Sequence, residues 1–117
     1  MMQYLCLIYE AESLYEKMDE SQMGELMAQY DEFTQDIQTS GQLVAGDALM
    51  PSNTATCVQI IDGKVSTKSG PFEQTHEQLG GYYLVEAKSE EEAVLIASKI
   101  PAAKTGTIEI RPVMTFN

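Results

Sequence analysis

Residues 2–9, MQYLCLIY, are apolar or aromatic at every position but Gln3, and the acids Glu10 and Glu12 follow at once. A run this short and this apolar suits a central strand covered on both faces better than a half-exposed one. Alternation turns Met2, Tyr4, Cys6 and Ile8 to one side and Leu5, Leu7 and Tyr9 to the other. The fold must therefore find cover for two apolar faces.

The rest of the chain supplies elements at regular intervals. Ser13-Leu-Tyr-Glu16 and Asp19-Glu-Ser-Gln22 both have the form of a capping box, a short polar residue with an acid or amide three positions on. Met23, Leu26, Met27, Tyr30, Phe33 and Ile37 then recur at steps of three and four, predicting one helix with a core-facing stripe that Gly41 can end. Gln42 to Met50 reads as a strand closed by Pro51. Thr54 to Ile61, followed by Asp62-Gly63, predicts a hairpin whose second strand is Lys64 to Lys68. Gly80 to Ala87 is a further strand, and Ser89-Glu-Glu-Glu92 opens a helix through Ala93, Val94, Ala97 and Ile100 that Pro101 ends. Thr107 to Phe116 closes the chain as a strand in which Pro112 predicts a sheet edge or a bulge.

With the middle hairpin set aside, the order is β-α-β-β-α-β. This is the ferredoxin-like pattern of an α+β fold, one sheet with both helices on one face and a hairpin inserted. Two helices cover one face, so a second subunit is expected to cover the other, because a bare apolar sheet face marks an interaction surface. A homodimer is predicted, and 117 residues fit a single domain spanning 1–117.

Eighteen acidic residues against seven basic ones give a net charge of −11, which repels phosphate backbones and anionic membranes; no nucleic-acid or membrane partner is expected. Nine of the acids lie within residues 1–40 beside one base, Lys17, as a solvated helix face or as a surface for a basic partner. No stretch approaches the ~20 apolar residues that span a bilayer and the first residues lack a basic leader, so a cytoplasmic location is expected. Cys6 and Cys57 each lie in an apolar run without CxxC spacing, which favours buried, reduced thiols.

Residues 69–87, SGPFEQTHEQLGGYYLVEA, then identify a family resemblance. The series Gly70-Pro71-Phe72, Thr75, Glu77-Gln78-Leu79-Gly80-Gly81-Tyr82 resembles the signature of the DGPF branch of the YCII-related family. The likeness extends through QYLCLIYE, LVAGDALMP, TATCVQIIDGK and IPAAKTGTIEIRPVMTF, nearly the whole chain. The resemblance implies a ferredoxin-like fold pairing into a dimeric α/β barrel, with a cleft between sheet and helices suspected of an enzymatic role. It also implies a His/Asp-dependent chemistry in the wider group, and for some DGPF members a gene neighbourhood with extracytoplasmic-function sigma factors. The chain departs from the pattern at Ser69, where the family has Asp, and in having no histidine on the first helix, where Gln29 and Tyr30 stand nearest.

His76 is the one side chain whose ordinary pKa suits acid/base work near neutrality, although in a polar run an idle, exposed imidazole is the alternative. Asp47 interrupts an apolar strand, and Glu109 shares a strand face with Arg111. These charges read either as an ion pair at a subunit interface or as a pocket with Arg111 anchoring an anion while Asp47 or His76 moves a proton. Glu77 reads as a loop tether or a pocket wall, Gly80 and Gly81 as room for a close backbone or ligand, and Tyr4 and Tyr82 as aromatic walls or phenol donors. One histidine without a Cys/His set predicts no metal site, and no cofactor is implied. Neither cysteine has a base beside it, and Gly80-Gly81 lacks the Lys-Ser/Thr of a phosphate loop.

Two functions follow. In one, the cleft performs proton-transfer chemistry, isomerase- or hydrolase-like, on a small anionic organic molecule. In the other, the protein is a non-catalytic ligand-sensing or partner-binding module, linked through the family resemblance to a sigma factor.

Overall fold

The first strand takes the central position its sequence demands. In the computed structural model, which describes residues 1–116, β1 (Met2–Glu10) hydrogen-bonds on one side to β5 (Gln78–Ala87) and on the other to β6 (Thr107–Pro112). The outer partner of β5 is β2 (Leu43–Ala48), so the four-stranded sheet runs β2-β5-β1-β6, antiparallel throughout. Between the strands lie the short α1 (Ser13–Glu16), the long α2 (Glu20–Thr39) and α3 (Glu90–Ser98), and the arrangement is the α+β, ferredoxin-like one. β3 (Thr56–Ile61) and β4 (Lys64–Ser69) form a separate two-stranded sheet.

One sheet face is the core. Tyr4, Cys6 and Ile8 of β1 and Val85 and Ala87 of β5 pack against Phe33 and Ile37 of α2, Ala93, Ile96 and Ala97 of α3, and Ile100 and Ala102 beyond it. Phe33 meets Tyr83 edge to face at 5.1 Å between ring centres, an arrangement the aromatic quadrupole favours. The Tyr83 ring crosses β2 at Gly46, where a Cβ would stand 2.7 Å from Cδ1 of the tyrosine; only glycine fits there. Cys6 is fully buried, and that burial raises its thiol pKa from 9.0 to about 11. Cys57 is half-buried, with its Sγ 3.4 Å from the Gly70 carbonyl oxygen.

Local signals decide the element ends. The Asp19 side chain accepts from Gln22 N at 2.8 Å and the Gln22 side chain accepts from Asp19 N at 3.0 Å, closing the predicted capping box. Ser89 caps α3 by accepting from Glu92 N. Gly41, at φ +78°, lies just past the end of α2, and Asp62 and Gly63 both take positive φ in the two-residue turn between β3 and β4. Ser13 corrects the reading at the first box: it lies inside α1, whose N-cap Glu12 uses its carboxylate elsewhere. The last strand stops at Pro112 instead of Phe116, at the sheet edge where a missing N–H costs least. Met27 leaves the α2 stripe and is exposed, and no helix among the described residues is long and apolar enough to cross a membrane.

Candidate functional site

Among the described residues no helix lies on the second sheet face, and the register shows what it presents. Asp47, Tyr82, Leu7 and Glu109 stand in one row across the four strands; Ala45, Leu84, Leu5 and Arg111 form the next. The middle of the face is leucine, half-buried only by its neighbours, and both edges are polar. Strands about 4.8 Å apart put the two ends of a row about 14 Å from each other. Asp47 and Arg111 therefore belong to opposite edges of one chain's sheet.

At the β2 edge the Tyr82 hydroxyl donates to Asp47 Oδ2 at 2.7 Å, and this bond, ahead of the carboxylate's charge, raises the Tyr82 phenol above its ordinary range. At the β6 edge Tyr9, Thr75, Glu77, Thr107 and Glu109 line an open recess of about 570 Å³. The Thr107 hydroxyl donates to Glu77 Oε1 at 2.9 Å. Partial burial first and the Glu109 carboxylate second raise the Tyr9 phenol, while the Arg111 charge pulls it down. This edge thus gathers two carboxylates, a phenol that keeps its proton, two threonine hydroxyls and one guanidinium. Such a set can bind hydroxyl or amino groups at the carboxylates and an anionic group at Arg111.

The residues singled out from the sequence separate into three places. Arg111 and Glu77 share the β6 edge, and Asp47 and Tyr82 share the β2 edge. Tyr4 points the other way: it is buried in the core, its hydroxyl 3.7 Å from Met2 Sδ. His76 is exposed on the loop before β5, where its carbonyl oxygen accepts from Gln78 Nε2 at 3.4 Å. Gly81 lets β2 approach, since a Cβ there would lie 3.0 Å from the Asp47 carbonyl oxygen. Gly80 sits in the register shift between the Ile8–Gly81 and Tyr9–Leu79 pairs, with open space where a side chain would be. The space between sheet and helices is packed. On that side a recess of about 350 Å³ remains between α2 and α3, lined by Phe33, Asp36, Ile37, Ser40, Gln42, Ile96 and Lys99, and none of the residues above reaches it.

The acids after β1 carry ties that no local sequence pattern shows. The Glu12 carboxylate accepts from Ser52 N at 2.7 Å and Ser52 Oγ at 2.5 Å, while Glu12 N donates to Gln78 Oε1 at 2.9 Å. Gln78 also donates to the Thr75 carbonyl, so one amide ties the end of β1 to the loop carrying Thr75, His76 and Glu77. Glu10 accepts from the Tyr15 and Thr105 hydroxyls on the helix side. Burial, and then the carboxylate, push Tyr15 well above the ordinary phenol range, and burial raises Tyr30 to about 12. The signal was available as two acids placed straight after an apolar strand. The distant partners, 40 and 66 residues from Glu12 and 95 from Glu10, were not.

Comparison with known proteins gives one family and a relative without an assigned role. The chain matches the family described as "YCII-related domain" over residues 2–117. It is 31% identical over 121 residues to "Uncharacterized protein R00369" of Rhizobium meliloti (strain 1021), an alignment covering 98% of this chain and 94% of that protein.

Proposed function

Since the chain belongs to the YCII-related family, we propose that it acts as a homodimer whose open sheet faces meet and hold a small organic molecule at their polar edges. The carrying observation is the open face itself: Leu5, Leu7 and Leu84 in the centre, flanked by Asp47 with Tyr82 on one edge and Glu77, Glu109 and Arg111 on the other. Leucines on a face without cover favour association, and polar edges give a ligand its contacts. The ligand class is a molecule with an anionic group for Arg111 and hydroxyl or amino groups for Glu77 and Glu109.

The Tyr82–Asp47 hydrogen bond favours a second, catalytic reading in which a proton moves between that pair and the bound molecule. Within one chain Arg111 is too far from Asp47 to hold the same small molecule. A partner turned about an axis along the strands lays its β2 edge over β6 and brings the two together across the interface. In this reading His76 stays outside the site.

The test is a thermal-shift screen of small carboxylates, amino acids and phosphorylated compounds. A ligand at about 100 times its Kd adds roughly 2.7 kcal/mol, several degrees for a chain of this size. The expected result is a hit lost in Arg111→Ala and weakened in Glu77→Gln. A hit that survives Arg111→Ala moves the site elsewhere, and a folded dimer with no hit contradicts the binding reading.

A further inference from the structure

The β3–β4 ribbon is the least supported part of the molecule. It hydrogen-bonds to neither edge of the main sheet, and none of residues 56–69 belongs to the core. Its pairing puts Val58 and Ile60 beside Thr67 and Val65 on one face, where the three apolar side chains are 62%, 66% and 70% exposed. The other face carries Cys57, Gln59 and Ile61 with Lys68, Ser66 and Lys64. A two-stranded ribbon alone in water is marginal and becomes stable by packing on something else. The fold's dimensions agree: a Cα radius of gyration of 16.3 Å exceeds the ~13 Å expected for a compact domain of this length, and the molecule is a slab 48 by 48 Å and 19 Å thick. The ribbon is an arm of about 20 Å.

Charge identifies what it fits. Residues 55–70 hold Lys64 and Lys68 against Asp62, one positive charge net, which leaves twelve negative on the remainder of a chain whose net charge is −11. An apolar, net-positive arm on a strongly acidic body is complementary to another copy of that body. Size points the same way. One ribbon face covers about 20 by 10 Å, well short of the ~800 Å² per partner of a stable interface, so the arm fits as the extension of a larger contact.

We propose that the β3–β4 ribbon docks on a second copy of this chain, burying Val58, Ile60 and Val65 against the partner and extending the dimer formed by the open sheet faces. The inference rests on the homodimer reading above. Lys64 and Lys68 add attraction that salt screens.

The test is sedimentation equilibrium of the full chain and three variants, with hydrogen exchange of residues 56–69 as a second readout. Val58→Asp/Val65→Asp removes the apolar contact, Lys64→Glu/Lys68→Glu reverses the charge while keeping the ribbon's apolar face and turn, and Leu7→Asp disrupts the sheet face instead. Both ribbon variants are expected to weaken self-association by about tenfold or more, the lysine variant less so in molar salt, with ribbon amides protected only at concentrations that form dimer. Ribbon variants within about twofold of wild type, and ribbon amides that exchange alike at every concentration, overturn the proposal. Dissociation by Leu7→Asp with intact association of the ribbon variants leaves the sheet-face dimer standing and removes the arm. The reverse pattern removes the sheet face and keeps the arm. A wild-type chain that stays monomeric overturns both.

Discussion

The two faces of the main sheet are made by the same strands and have opposite fates. Tyr4, Cys6 and Ile8 face the helices and are buried, whereas Leu5 and Leu7, their immediate neighbours in sequence, are covered only in part. Hydropathy does not distinguish the two sets; the number of helices does. Two helices on one side leave the other side without one. The buried face thus answers to stability, and the open face is the one that the proposed dimer and its ligand would use.

Substitutions on the two faces should separate these roles, and the largest effect belongs to the buried face. Phe33→Ala removes a buried ring and its contact with Tyr83, an expected loss of about 3–5 kcal/mol in urea unfolding. Leu84→Ala on the open face should cost far less under monomeric conditions, and an equal cost would mean that both faces support the fold alike. Second comes a pH effect at the buried face. The Cys6 thiol keeps its proton to about pH 11 when folded but loses it near 9.0 when unfolded, so its contribution is complete below pH 9 and is lost as pH rises toward 11. The expected fall is about 2–3 kcal/mol across that window, and Cys6→Ala should remove this portion from the stability profile.

Third, Leu7→Asp should weaken dimerisation by about tenfold or more, with far-UV circular dichroism unchanged. A variant that instead unfolds places Leu7 in the stabilising set and blurs the two faces. Smallest is Tyr82→Phe, which deletes the hydroxyl bonded to Asp47 at an exposed edge. No resolved change in Tm is expected, and a clear drop in Tm would mean that this edge supports the fold.

What could be read from the sequence follows the reach of each signal. Local chemistry was legible: the Asp19–Gln22 box, the Asp62-Gly63 turn, Gly41 past the second helix and Pro112 on an edge strand all lie where spacing and residue type put them. The two-sided strand and the order of elements sufficed for the ferredoxin-like arrangement. Ser13 misled because its spacing to Glu16 resembles a box, while Glu12 occupies the cap position and holds Ser52 instead.

The site was legible only in pieces. Period-two alternation correctly places Glu109 with Arg111 on one face, but it says nothing of register between strands. Register puts Asp47 in the row of Glu109, on the far edge from Arg111. Alternation groups Tyr4 with Cys6 and Ile8, and only the placement of the two helices makes that side the core. The ties from Glu12 to Ser52 and Gln78 span 40 and 66 residues, and no local pattern predicts them.

The most direct test of the open face is the mass of the wild-type chain in solution by sedimentation equilibrium at micromolar concentration. The expected result is a species of twice the chain's 12.9 kDa, dissociating in Leu7→Asp. A single 12.9 kDa species across the concentration range, with Leu5, Leu7 and Leu84 left in water, would contradict it.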